Sequence, residues 1–141
     1  MNIPVALAPT AGRVLLIDDD DLIAGSLHHY LTLQGCVVDG AVDRAAASRL
    51  MRLQRYGVIL VDPFLTGGVR QVCTAMVDDI ALLQPQATVF VVTAYGSNEL
   101  ARLAGSEKLS ILSKPQSVVA LTELIFEALH TRTTPSSQGL N

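Results

Sequence analysis

Five short apolar runs, each separated from the next by enough chain for one helix, constrain this protein more than any other feature. They are RVLLI (13–17), CVVDGAV (36–42), GVILVD (57–62), ATVFVVTA (87–94) and KLSILSKP (108–115). Most read as continuous apolar stretches rather than strict alternations, the pattern of strands covered on both faces. Between them the period becomes helical. Ile23, Leu27, Tyr30 and Leu31 recur over 20–34, and Gly35 follows as a C-cap. A second helix is predicted over 43–55 with Asp43 as its N-cap. Val72, Met76, Ile80 and Leu83 mark a third that ends before Pro85. SNELARLAG (97–105) is a short, weak fourth, and Val118, Leu121, Ile125 and Ala128 mark the last. Strands that alternate with helices in this way build a parallel sheet with helices on both faces and right-handed crossovers. The chain is read as an arm (1–12), one α/β domain (13–130) and a polar C-terminal tail (131–141).

Composition removes several function classes. The chain has 141 residues, a net charge of −3 and half its residues hydrophobic, enough for one packed domain. It has no basic footprint for nucleic acid. No apolar run approaches the roughly 20 residues of a membrane helix. The start lacks the positive n-region of a secretory signal, so the protein is expected in the cytoplasm. Cys36 and Cys73 fall in no metal-ligand or C-x-x-C spacing and read as reduced, buried thiols.

In an open α/β sheet, ligands meet the carboxyl ends of the strands. The first strand ends in Asp18 and Asp19, the third in Asp62, the fourth in Thr93 and the fifth in Lys114-Pro115. Three carboxylates, a hydroxyl and an amine therefore converge on one rim. Such a carboxylate group suits a hard divalent cation such as Mg²⁺, which takes oxygen ligands and retains waters. A carboxylate can also act as a nucleophile and form an acyl phosphate. The amine would neutralise a phosphoryl group, and the hydroxyl would hydrogen-bond it. Asp62, alone at a strand end, is the candidate nucleophile, with Asp18 and Asp19 on the metal side. Asp20 and Asp21 open the first helix, where carboxylates favour the N–H groups and the positive dipole end.

The stretches VLLIDD, VILVD, VFVVTA and ILSKP, with 43 residues from Asp19 to Asp62, 31 to Thr93 and 21 to Lys114, resemble the receiver domain of two-component response regulators. The resemblance covers residues 13–130. It implies a flavodoxin-like, doubly wound, five-stranded parallel sheet of order 2-1-3-4-5. It also implies that Asp62 accepts a phosphoryl group from a sensor histidine kinase or a histidine phosphotransfer protein. Mg²⁺ would be held by Asp18, Asp19, Asp62 and the backbone carbonyl of Phe64, while Thr93 and Lys114 contact the phosphoryl group and Pro115 follows a cis bond. The output would be a switched surface, formed by the weak helix, the fifth strand and the last helix, that docks an unidentified downstream protein. On this reading the chain is a phosphoacceptor switch rather than an enzyme, a monomer or weak dimer, with no output domain after the last helix.

Several residues depart from that family's pattern. Pro63 directly follows the acceptor, and Thr66 stands where the family usually has proline. Ile111 replaces the aromatic three residues before the lysine, and Tyr95, two residues after Thr93, is a candidate to serve instead. Phe64 and Tyr95 are bulky where attacking water would pass, so slow hydrolysis of the phosphorylated form is expected. His28 and His29 read as a solvated helix face. Arg49, Arg52 and Arg55 read the same way, with a small basic stripe for a partner as the alternative.

Three other readings compete. The departures fit a degenerate receiver that binds a protein without phosphate, although all five site residues are present. The TTPSSQ segment fits a linker, as in a fragment of a larger regulator. LLIDDDD also fits the D-x-D strand end of haloacid-dehalogenase-like phosphohydrolases, through Asp18 and Asp20. That class needs a late acidic pair, and only Glu123 and Glu127 remain, on a helix, with Asp62 unexplained.

Overall fold

The computed structural model describes residues 12–18, 21–62, 74–93, 109–113 and 117–133. The strands are β1 (Arg13–Ile17), β2 (Val37–Ala41), β3 (Val58–Val61), β4 (Thr88–Thr93) and β5 (Leu109–Ser113). The helices among the described residues are α1 (Asp21–Leu33), α2 (Arg44–Leu53), α3 (Thr74–Leu83) and α4 (Val118–Thr133). The expected helix over 97–105 lies outside the described residues. All strand pairs are parallel, in the order β2-β1-β3-β4-β5, the doubly wound order that the resemblance implies.

Strand parity divides the core. Leu15, Ile17, Ile59, Val61, Val89 and Val91 face Ala47 and Met51 of α2 and Met76 and Ile80 of α3. Val14, Leu16, Val38, Val58, Leu60, Phe90 and Val92 face Leu27 and Leu31 of α1 and Leu121, Ile125 and Leu129 of α4. Both faces are therefore dry, which is why β3 reads VILV with every residue buried. Each such side chain contributes about 1.5–3 kcal/mol by leaving water, so the strand end that follows β3 rests on a rigid base.

Local signals set the helix ends. The Asp43 carboxylate accepts from the Ala46 N–H at 2.8 Å and starts α2. Gly35 adopts φ 99° after α1, a conformation that glycine takes without steric cost. Tyr30, expected on the apolar face of α1, is instead 36% exposed, while Leu27 and Leu31 are buried.

A buried polar joint closes the amino end of the sheet. Gln84, 2% exposed, donates through Nε2 to the carbonyls of Met51 (2.8 Å) and Gln54 (2.7 Å). Its Oε1 accepts from the Tyr56 N–H (3.0 Å) and from Gln86 Nε2 (2.7 Å). This side chain takes up carbonyls that the last turn of α2 leaves without helical partners. The buried Tyr56 hydroxyl donates to Asp39 Oδ2 at 2.7 Å; burial first, and then that carboxylate, push its pKa upward.

Candidate functional site

The site grows from the register of β1 against β3. Leu16 pairs with Leu60 and Ile17 with Val61. The ladder runs one residue further: the Asp62 N–H donates to the Ile17 carbonyl at 2.9 Å and the Asp18 N–H to the Ala41 carbonyl at 3.0 Å. Asp18 and Asp62 thus stand side by side at the carboxyl ends of two adjacent strands. By parity both follow Leu16 and Leu60 toward the α1 side, and both line a small cleft with Leu16, Leu60, Leu27 and Val92. Asp62 is 9% exposed and Asp18 is half-buried.

The β3–β4 and β4–β5 registers place the remaining strand ends. Val61 pairs with Val91, so Val92 flanks Asp62 and Thr93 closes β4 one residue further on. Thr93 pairs with Ser113, the residue before Lys114. The expected rim is therefore present in the backbone at Asp18, Asp62 and Thr93. Asp19, Phe64, Tyr95, Lys114 and Pro115 lie outside the described residues, as do Asp20, Pro63, Thr66 and Cys73.

Ile111 pairs with Val91 and packs, partly buried, on the face covered by α2 and α3, opposite the carboxylate cleft. The row Ala41, Ile17, Val61, Val91 and Ile111 is an apolar band one residue beneath the rim. His28 and His29 are exposed on α1, as expected of a solvated face. Arg49, Arg52 and Arg55 are exposed too.

Two buried or half-buried carboxylates on neighbouring strand ends repel unless a cation or hydrogen-bond donors hold them. Hard oxygen donors of this kind match Mg²⁺ in chemistry, so the residues present fit the ion. Among the described residues no group of three His, Cys, Asp or Glu side chains forms a metal cage; the third carboxylate expected at the rim, Asp19, is not among them. No described helix is long and apolar enough to cross a membrane.

Sequence reasoning missed the polar joint around Gln84 and the pair formed by Arg44 and Asp79, which ties α2 to α3 through Nε–Oδ2 at 2.6 Å and Nη2–Oδ1 at 3.2 Å. That guanidinium holds the Asp79 carboxyl below its ordinary range. Neither feature leaves a periodic trace, since both join residues about 30 positions or more apart.

The family model of the response regulator receiver domain matches residues 14–126. One curated relative, a cyclic di-GMP phosphodiesterase of Thermotoga maritima, is 32% identical over 124 residues, which are 84% of this chain. The chain spans 31% of the length of that relative. Among solved structures, a response regulator protein from Burkholderia pseudomallei with a phosphorylated aspartic acid, calcium ion and citrate superposes with TM-score 0.68 at 28% identity, over 90% of this chain and 71% of the other. The beryllofluoride-activated NtrC4 receiver domain dimer superposes with TM-score 0.69 at 29% identity, over 84% and 97%. A CheY-like receiver domain from Methanospirillum hungatei, at 24% identity and TM-score 0.73 over 84% and 93%, shares the fold.

Proposed function

The chain belongs to the response regulator receiver domain family of two-component systems, and from that premise we propose that it is a Mg²⁺-dependent phosphoacceptor whose nucleophile is Asp62. The observation that carries this reading is the position of Asp62: 9% exposed, at the end of the buried strand β3, next to Asp18 across the β1–β3 ladder. An Asp62 carboxylate oxygen attacks the phosphorus of a phosphohistidine on a sensor kinase or phosphotransfer protein. The N–P bond breaks, its electron pair stays on the imidazole nitrogen, and the product is an aspartyl phosphate. Asp18, Asp19, Asp62 and the Phe64 carbonyl would hold Mg²⁺, which when bound screens the charge of the phosphoryl oxygens. Thr93 donates its hydroxyl to one phosphoryl oxygen and Lys114 pairs with another.

Phosphorylation then shifts a two-state equilibrium through Thr93 and the loop after it, altering a surface that docks a downstream protein. Ile111, held against the core opposite the cleft, cannot swing as an aromatic would, so Tyr95 takes that part of the switch. Phe64 and Tyr95 shield the phosphoryl group from water, and the phosphorylated form decays slowly. In this reading the domain spans 13–130, between an arm and a tail, and works in the cytoplasm as a monomeric or weakly dimeric switch.

A second reading rests on the length of the curated relative, about three times that of this chain by the coverage quoted above. In a longer regulator the same receiver would control a covalently attached output domain. The test common to both is intact mass after incubation with acetyl phosphate and Mg²⁺. One added phosphoryl group, absent in Asp62→Asn and without Mg²⁺, is expected. An adduct that persists in Asp62→Asn overturns the assignment of the nucleophile, and no adduct under any condition leaves the phosphate-independent binding module.

A further inference from the structure

The opposite end of the sheet carries a second feature that phosphoryl transfer does not use. Arg13 at the start of β1, Arg52 in the last turn of α2 and Arg55 just after it line one open depression, with Gln54 and Gln84 between them. Its volume is about 440 Å³. Met51, Leu53 and Leu83 supply the apolar part of the wall. Among the described residues no carboxylate lines it, although the whole chain has 13 acidic and 10 basic residues. Three of those ten cations therefore meet in one place on a protein of net negative charge.

These guanidinium groups are not spent on internal pairs. Arg44 takes Asp79 directly and Arg52 acts on that carboxylate only through space, while Arg13, Arg52 and Arg55 form no salt bridge with a described residue. Arg55 makes one long contact, 3.4 Å, with Gln86 Oε1. Exposed leucines accompany these cations: Leu53, in the wall, is 71% exposed, and Leu82, the sequence neighbour of the lining residue Leu83, is 79% exposed. Large aliphatic side chains this exposed next to a positive field are suited to a protein contact rather than to water alone.

We infer that this depression is a docking site for an acidic, leucine-bearing segment of a partner protein. Charge complementarity selects the occupant: carboxylates meet the three guanidinium groups, and leucines cover Leu53 and Leu83. A cavity of this size holds several side chains, and its cations come from the start of β1 and from the end of α2. β1 is five residues long, so at about 3.3 Å per residue the depression lies roughly 16 Å from Asp18 along the strand. Docking there leaves the phosphoacceptor rim open, and it does not depend on Asp62 being the nucleophile.

The test is fluorescence anisotropy of the full chain with a fluorescein-labelled peptide of alternating Glu and Leu. Saturable binding is expected, weakened at least tenfold in the Arg52→Ala/Arg55→Ala double variant and several-fold in Leu53→Ser. It should be retained in Arg49→Ala and lost when Gln replaces Glu in the peptide. Circular dichroism establishes that each variant is folded. Absence of saturable binding overturns the proposal. So does an equal loss in Arg49→Ala, which would mean diffuse charge. Displacement by inorganic triphosphate at the concentration that suffices for unlabelled peptide also overturns it, in favour of a small-anion site.

Discussion

Replacing Gln84 by methionine removes four hydrogen bonds while keeping nearly the same length of side chain. Two of the groups left behind, the Tyr56 N–H and the Met51 carbonyl, are in buried bonds; the Gln54 carbonyl is only part-buried and recovers water. A buried polar group without a partner costs about 1–3 kcal/mol, and the removed amide returns some of its own desolvation. The net expected loss is about 3 kcal/mol, a large share of the roughly 5–15 kcal/mol that holds a domain together. At a urea slope of about 2 kcal/mol per molar, the unfolding midpoint should fall by about 1.5 M with the slope unchanged. Gln84→Glu sharpens the test. It keeps an acceptor for the Tyr56 N–H but turns a carboxylate toward two carbonyl oxygens, so it should cost at least as much at pH 7. A midpoint shift below about 0.3 M for Gln84→Met would refute the view that this joint closes the amino end of the sheet.

Other outcomes follow from the same structure. Burial pushes the Cys36 thiol up to about 11 from an ordinary 9.0. A raised folded-state pKa stabilises fully below about pH 9 and is lost as pH climbs through 11, so wild type should lose more stability than Cys36→Ala between pH 8 and 11 in urea titrations. Asp79 is depressed by its Arg44 partner, so its contribution is present above the ordinary carboxylate range and disappears as pH falls below it. Because Arg44 is 53% exposed, Asp79→Asn should cost under about 1 kcal/mol at pH 7, and less in high salt. Ile59→Ala, at a fully buried position of β3, should cost about 2–5 kcal/mol by thermal or urea unfolding. The aspartyl phosphate should persist for many minutes to hours in a mass-decay series; a lifetime of seconds would contradict the shielding assigned to Phe64 and Tyr95.

Much of this fold is written locally. Each strand is a run of apolar residues because both sheet faces are covered, and the described strands fall within one or two residues of the expected runs. Asp43 and Gly35 announce their helix ends because a side-chain cap and a positive φ are local requirements. The rim was legible for the same reason: in a parallel sheet the residue that ends a strand is also the residue that meets a ligand, so Asp18 and Asp62 could be paired before their register was known. What stayed hidden depends on distant partners. Gln84 looks like an ordinary polar residue after a helix, and only the approach of α2 turns it into a buried joint. Arg13 lies about 40 positions from Arg52 and Arg55 in the sequence, so only two of the three cations of the basic depression could be read from α2 and the residues just after it. Tyr30 fits the helical spacing of α1 yet lies at the edge of its apolar stripe, where packing and not period decides exposure.

The central claim is that Asp62 carries the phosphoryl group, and the most direct measurement is to locate it. Protein treated with acetyl phosphate and Mg²⁺ would be reduced with borohydride, which converts an aspartyl phosphate to homoserine, and then digested and sequenced by mass spectrometry. The account predicts homoserine at position 62 and at no other aspartate, dependent on both the phosphodonor and Mg²⁺. Homoserine at position 18, 19 or 20 with position 62 intact would contradict it and move the nucleophile to the end of β1.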